Sequence, residues 1–344
     1  MPGCTLTVLV KRSAMLCGLA VALALGFGTA SGKPARPSTE AQAPRLAHWE
    51  TYLKVGQPVD LVGPRSDGAL VLAAIQRHWL VRPSGSVLPF APAYQGSPGE
   101  PYIAFASDTH KGCGFGRETV YALRLDSSPG ITSISARGRV RRFASITAPG
   151  LIDGIAFDET GKFGYRLLVT ITSGSTTTVD AIDCHGTVRT ITKRAPRVEG
   201  GMVVAPKKFG RYAGDLIAPD EVSGRVFAIT PQGRSALVAA SGLPAGGDVG
   251  VESEAFLPPS GRFDALLADR LTIGNPHPGN DVLLRVSSAA LFAAGARPGD
   301  LLVATEGGAS TVAIRCGRKG CHVRHVADGP TVAHAEGHIA VLPS

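Results

Sequence analysis

The sequence predicts an all-β fold: a six-bladed β-propeller of four-stranded blades, closed by its C-terminal strand and carrying one short inserted helix. Three observations support this. The chain is built of short apolar runs broken by Gly, a turn pattern returns at a near-constant interval, and a separate series of acidic residues keeps the same interval. The 344 residues include 43 Gly and 25 Pro, with 6% aromatic and 18% charged residues, which suits a turn-rich chain. The 44% apolar content excludes intrinsic disorder.

At the N-terminus, Lys11 and Arg12, the apolar run from Met15 to Phe27 and the small residues Gly28, Thr29 and Ala30 have the order of a secretory signal peptide cleaved after Ala30. An uncleaved anchor is the alternative. No later stretch approaches the roughly 20 apolar residues that cross a bilayer. The mature chain is therefore expected to be secreted or extracytoplasmic, in the periplasm or cell envelope, without stable membrane insertion. Residues 31–66, with Pro34, Pro37, Pro44, Pro58 and Pro64, are expected as linker and lead-in, and residues 67–344 as the propeller. Losing Lys11 and Arg12 lowers the net charge from +8 to +6. The densest basic run, Arg137, Arg139, Arg141 and Arg142, alternates as an exposed strand does. No aromatic platform accompanies it, so nucleic acid is not an expected partner.

Export places Cys113, Cys184, Cys316 and Cys321 in an oxidising compartment. Cys316 and Cys321 flank Gly317-Arg318-Lys319-Gly320, a tight turn between two apolar-alternating segments, and are expected to form a disulfide across a hairpin. Cys113 and Cys184 are the remaining pair. A zinc site is the competing reading, although the spacings match no common zinc motif.

The turn pattern is Gly, one or two residues, then a short apolar-alternating run. It occurs at Gly85, Gly138, Gly186, Gly233 and Gly320, at intervals of 53, 48, 47 and 87, with Gly279 as a degraded copy in the long gap. The acidic series is Glu100, Asp153, Glu199, Glu252 and Glu336, at intervals of 53, 46, 53 and 84. Each acid precedes a small residue or Pro and then an apolar run, and Asp300 fills the long gap poorly. Units of this size match four-stranded propeller blades. The last acidic unit has no strands after it and the first turn unit, Leu70 to Ala91, lacks one before it. The C-terminal segment is thus expected as the innermost strand of the first blade, which leaves no open sheet edge. A β-sandwich would not explain two series with one period. The stretch from Ser287 to Ala294, rich in Ala and Leu, is expected as a short helix between blades five and six.

Innermost strands line the central channel, so equivalent strand starts converge there. This gathers Glu100, Asp153, Glu199, Glu252 and Glu336 at one mouth, where like charges raise one another's pKa or bind a cation. Oxygen-only ligands favour a divalent ion such as Ca²⁺ over Zn²⁺. Capping of turns at strand starts is the alternative role for each acid. His334, Glu336 and His338 lie at alternate positions, share a strand face and form an alternative transition-metal or zinc set. Hydrogen bonding to a ring carboxylate is the other role for the two histidines.

Asp153-Gly154-Ile155-Ala156-Phe157-Asp158 with Gly161 resembles the Pro-Asp-Gly-x-x-x-Asp-x-x-Gly segment of the gluconolactonase/regucalcin-like six-bladed propellers, with Ile152 in place of the Pro. Glu199-Gly200 resembles their acidic strand start, and the period is shared with NHL-repeat and strictosidine-synthase-like propellers. The resemblance implies that Asp153 is a metal ligand and catalytic base in lactone hydrolysis, with Glu199 or Glu336 a further ligand. Two functions follow as expectations: a metal-dependent lactone or ester hydrolase acting on a small-molecule substrate, or a non-catalytic propeller binding a carbohydrate, peptide or protein. A monomer is expected in either case.

Overall fold

The computed structural model describes residues 45–96, 99–107, 111 and 113–343, so the signal-peptide reading of residues 1–30 lies outside the described residues. Two strands, β1 (Ala47–His48) and β2 (Glu50–Lys54), precede the first complete blade, which comprises β3 (Pro58–Val62), β4 (Leu70–Ala74), β5 (Arg77–Val81) and β6 (Val87–Phe90). Blade two contains β7 (Ile103–Ala106), β8 (Thr119–Arg124), β9 (Gly130–Ile134) and β10 (Val140–Ser145). Blade three contains β11 (Leu151–Phe157), β12 (Leu167–Ser173), β13 (Thr176–Ile182) and β14 (Val188–Pro196). Blade four contains β15 (Val203–Val204), β16 (Leu216–Asp220), β17 (Arg225–Ile229) and β18 (Ser235–Ala240).

The last two blades exchange strands. β19 (Val251–Phe256) is the innermost strand of blade five, but the chain then builds β20 (Phe263–Asp269) and β21 (Val282–Ser287) into blade six. It returns through helix α1 (Ser288–Ala293) to β22 (Leu301–Thr305), β23 (Thr311–Gly317) and β24 (Gly320–Asp328) of blade five, whose outer edge is extended by β1. Blade six is completed inside by β25 (Ala335–Pro343) and outside by β2. The C-terminal strand therefore closes the ring as expected, but in a blade whose outermost strand comes from the N-terminal side. The expectation that it completes the first blade is corrected: that blade has its own inner strand, β3, within the stretch read as lead-in.

This exchange explains the long gap in both series. The outermost strand of blade six arrives from β2, so no hairpin leads into it and no turn glycine is required there. Gly279 lies in the connection between β20 and β21, and Asp300 precedes β22 and accepts from Arg315 at 2.7 and 2.8 Å. Neither belongs to its series. Gly85, Gly138, Gly186 and Gly233 all sit between third and fourth strands with φ between +76° and +80°, the left-handed region that glycine enters without cost. Each donates to a carbonyl three residues back, as in Gly85 N to Arg82 O at 2.8 Å.

Each blade packs on both faces, and this dictates its sequence. Every residue of β4, β16 and β22 is buried, whereas the outer strands β10, β14 and β18 keep a single buried residue each. Arg141 and Arg142 of the basic run lie exposed on β10. The apolar core forms layers between neighbouring blades, one for each of the six interfaces. Ser287 caps α1 by accepting from Ala290 N.

The channel closes at its waist. Gly200 N donates to Asp153 O at 2.8 Å and Gly201 N to Glu252 O at 2.9 Å, tying blades three, four and five by backbone alone. Asp60, fully buried, accepts from Ile103 N of blade two at 2.7 Å and from His338 N of blade six at 2.7 Å. The His338 ring spans the channel, with Nδ1 3.0 Å from Asp60 Oδ2 and Nε2 3.1 Å from Met202 O. Both ring nitrogens face acceptors, an arrangement that favours the imidazolium. Burial opposes that charge most, but the Asp60 carboxylate and the carbonyls of Met202 and Ile155 together outweigh it and raise the pKa.

Both expected disulfides are present. Cys316–Cys321 closes the β23–β24 hairpin with Cα atoms 4.0 Å apart, and Cys113–Cys184 joins the loop before β8 to the turn after β13, stapling blades two and three.

A Cβ at Gly201 would lie 2.3 Å from Gly337 O and 2.8 Å from His338 Cα. Neither neighbour can yield without moving backbone, so Gly201→Ala should cost about 3 kcal/mol or more in denaturant unfolding. Cys113 and Cys184 are 71 residues apart, so replacing both by Ser should cost up to about 4 kcal/mol. The same change at Cys316 and Cys321, 5 residues apart, should cost up to about 2 kcal/mol.

Candidate functional site

The innermost strands begin at one mouth of the closed channel, and the acidic series collects there. Asp153 and Glu252 are the extra residues of bulges in β11 and β19. A bulge leaves one residue without a partner and turns its side chain out of the ladder. Glu100 and Glu199 come just before β7 and β15, and Glu336 is the second residue of β25. In β3 the equivalent bulged position is Val59, which is why the first blade supplies no acid to the mouth.

Glu100, Asp153, Glu199 and Glu252 line one cavity of about 80 Å³, together with Glu221, Asp248 and Glu306. Glu336 reaches the same group through Tyr102: the Tyr102 hydroxyl lies 3.0 Å from Glu336 and 3.3 Å from Glu100, and contacts Glu252 most closely. Oxygens of Glu100, Glu252 and Glu336 all lie within 4.8 Å of one another. One hydroxyl has one proton to give, so these carboxyls must retain protons or share a cation. Both oxygens of Asp153 are buried, and the hydroxyls of Thr172 and Thr170 beside them give it only weak hydrogen-bond support.

Positive charge at the mouth is limited. Arg197 pairs with Glu199 at 2.9 Å. Arg270 lies 2.8 Å from Glu100 and 2.5 Å from Glu336, and despite burial these carboxylates raise its pKa. His334 Nε2 is 2.9 Å from Glu336 and 3.1 Å from Glu306. The remaining repulsion and burial appear in the acids. Glu336 and burial push Glu100 up to about 7. Burial pushes Asp153 up to about 7, and burial together with Glu199 pushes Glu221 up to about 8. Burial and Glu336 carry Glu306 to about 10, and the same two causes raise Glu252.

The expected set of His334, Glu336 and His338 is corrected. His334 and Glu336 do meet, but Glu306 completes that trio, with ligand atoms within 4.8 Å. In β25 the pair Glu336–Ala268 is followed by Ala340–Leu266, so residues 337–339 bulge and Gly337 takes φ +66°. The alternate-residue rule fails across that bulge, and His338 turns to Asp60. Asp158, the second acid of the Asp-x-x-Gly segment, is fully buried and accepts from the backbone N–H groups of Thr160, Gly161, Phe163 and Tyr165. It shapes a turn at the far end of β11.

Tyr102, Arg197, Glu221, Asp248, Arg270 and Glu306 are site residues that the acidic series does not include. A signal for Glu306 exists in Glu306-Gly307-Gly308, the same acid-then-glycine pattern as Glu199-Gly200-Gly201. It follows a second strand, β22, and so falls out of period.

The sequence matches no protein-family model and no curated protein. Among solved structures it is similar to virginiamycin B lyase from Staphylococcus aureus, with 11% identity, 83% of this chain and 97% of that one covered, and a TM-score of 0.45. It is similar to a streptogramin B lyase, with 11% identity, 83% and 75% coverage and a TM-score of 0.45. A protein assigned as a gluconolactonase shares 12% identity over 70% of this chain and 91% of its own, with a TM-score of 0.36. By its own sheet topology, this chain is a six-bladed β-propeller.

Proposed function

We propose that the chain is an exported propeller that binds one divalent cation at its acidic mouth and hydrolyses small esters or lactones there. The observation that carries this reading is the convergence of Glu100, Glu252 and Glu336 on the single Tyr102 hydroxyl, with the buried carboxyl of Asp153 in the wall of the adjoining cavity. The donor set is oxygen throughout, which suits Ca²⁺ with its loose geometry. The Glu306, His334 and Glu336 trio, with one nitrogen donor, suits Zn²⁺ less well, because structural and catalytic zinc sites draw more heavily on nitrogen and sulfur.

Glu100, Glu252 and Glu336 would hold the ion, whose chemistry is to polarise a carbonyl oxygen. Asp153, poised near neutrality by burial, takes a proton from the attacking water at one of its carboxylate oxygens. Arg270 orients Glu100 and Glu336 through its ion pairs and opposes the rise in the Glu100 pKa. Two disulfides support an extracytoplasmic location, and no helix among the described residues is long and apolar enough to cross a membrane. A second reading, non-catalytic binding of a carbohydrate, peptide or protein, is favoured by the exposed Leu151 in the wall of the acidic cavity and by the exposed Val222 next to Glu221.

Protein purified without chelator should carry about one divalent ion per chain. No ion, together with no thermal shift on adding Ca²⁺ or Zn²⁺, removes the metal and the hydrolase with it. Across a lactone and ester panel, Asp153→Asn should lower the rate by about 100-fold or more; equal rates leave the binding reading standing. The pH dependence has a defined sign. Glu100 and Asp153 at about 7 and Glu221 at about 8 lie above the ordinary carboxyl range near 4, so each favours the folded state at low pH. That contribution is complete below about pH 4 and is lost as pH rises through 7 to 8. Melting temperature in chelator should fall across this window, and Ca²⁺ should restore most of the loss.

A further inference from the structure

The opposite end of the channel, beyond the waist, holds a larger cavity of about 560 Å³ where the innermost strands finish. Its walls are mostly apolar and include Leu61, Phe105, Phe157, Met202, Phe256 and Val341. The size falls in the range of small-molecule sites, which combine apolar walls with a few placed polar groups. The polar side chains in this wall are those of Ser107, Glu159, Glu254 and His338, of which Glu159 is exposed. His338 is committed to Asp60 and Met202 O. Glu254 has no such commitment: it is fully buried, and both of its carboxyl oxygens lack a hydrogen-bond partner.

Nothing in the fold requires an acid at this position. Aligning Glu252-Ser253-Glu254-Ala255-Phe256 with Asp153-Gly154-Ile155-Ala156-Phe157 places Glu254 where blade three has the buried Ile155. A buried carboxyl left unpaired is destabilising, whereas an aliphatic side chain of similar size is not. A group that brings donors to Glu254 removes that penalty.

We propose that this cavity is a second binding site, for a small molecule with an apolar body and a primary ammonium group, and that Glu254 receives the ammonium. An ammonium offers three donors and no acceptor, which complements a carboxyl lying among apolar walls. The acidic mouth on the far side of the waist also attracts cations, so the test separates the two ends.

The full chain, saturated with Ca²⁺, is titrated calorimetrically with phenethylammonium and with phenethyl alcohol, its uncharged counterpart. The ammonium should bind roughly 10-fold tighter or more. Glu254→Gln should abolish that preference, and Asp153→Asn, altered at the other end, should keep it. Independently of either variant, NMR should place the ring protons of the ammonium probe against the Met202 methyl. The proposal is overturned by equal binding of the two probes, by no binding of either, by a preference that survives Glu254→Gln or disappears in Asp153→Asn, or by ring contacts at the mouth alone.

Discussion

The hydrogen-bonded waist of the channel is the constraint on which the rest of the molecule depends. Asp60 joins blades one, two and six, the His338 ring carries the connection across the channel to Met202 in blade four, and the amides of Gly200 and Gly201 extend it to blades three and five. All six blades thus belong to one connected network of short, buried polar contacts. Such networks specify a single arrangement when every member is satisfied. Here the His338 ring is satisfied by a carboxylate on one side and a carbonyl on the other. The apolar layers between blades supply non-directional attraction, which fixes neither the number of blades nor their inward reach. The waist supplies the direction.

This closure also explains the sequence next to the acids. Inner strands that approach closely enough for amides of one to bond carbonyls of the next leave no room for Cβ atoms, so glycine follows the acid at Asp153-Gly154, Glu199-Gly200 and Glu336-Gly337. One residue earlier, the chain emerges at the mouth and can present a long polar side chain. The acid and the glycine therefore record one geometry from its two sides, and the waist divides the channel into ends of opposite character. One end is crowded with carboxyls; the other is mostly apolar, with one unpaired buried acid. Neither end depends on residues that fill the other.

Much of the fold was legible because its two series report different features. The turn glycines mark third-to-fourth-strand hairpins that need positive φ, and the acids mark inner-strand starts, so agreement between their periods identified a ring of repeated units. The site was legible as a place, since Glu100, Glu252 and Glu336 do meet, but not as a complete set. Arg270 and Glu306 come from the connections after second strands, which the chain brings to the same mouth without any periodic spacing. The misplacement of His338 has a different cause. Strand alternation presumes an unbroken ladder, and Gly337, itself part of the waist, breaks it. The first inner strand was missed because Val59 replaces its mouth acid and Asp60 serves the waist instead.

The charge distribution joins these points into one argument. Taken over its whole length the chain is basic, at +8, yet seven carboxyls line a cavity of about 80 Å³ and an eighth, Glu336, lies behind them, with two arginines and His334 nearby. Mutual repulsion of this kind works against folding unless protons or a cation relieve it. A fold selected only for stability would disperse those acids. Here the waist ties the blades through backbone groups of Asp153, Gly200 and Glu252 and through Asp60 and His338, none of which uses an acidic side chain of the mouth, so the ring does not depend on how those carboxyls are charged. Local disagreement between charge and stability, set on an otherwise consistent scaffold, is the pattern expected where a protein meets its ligand.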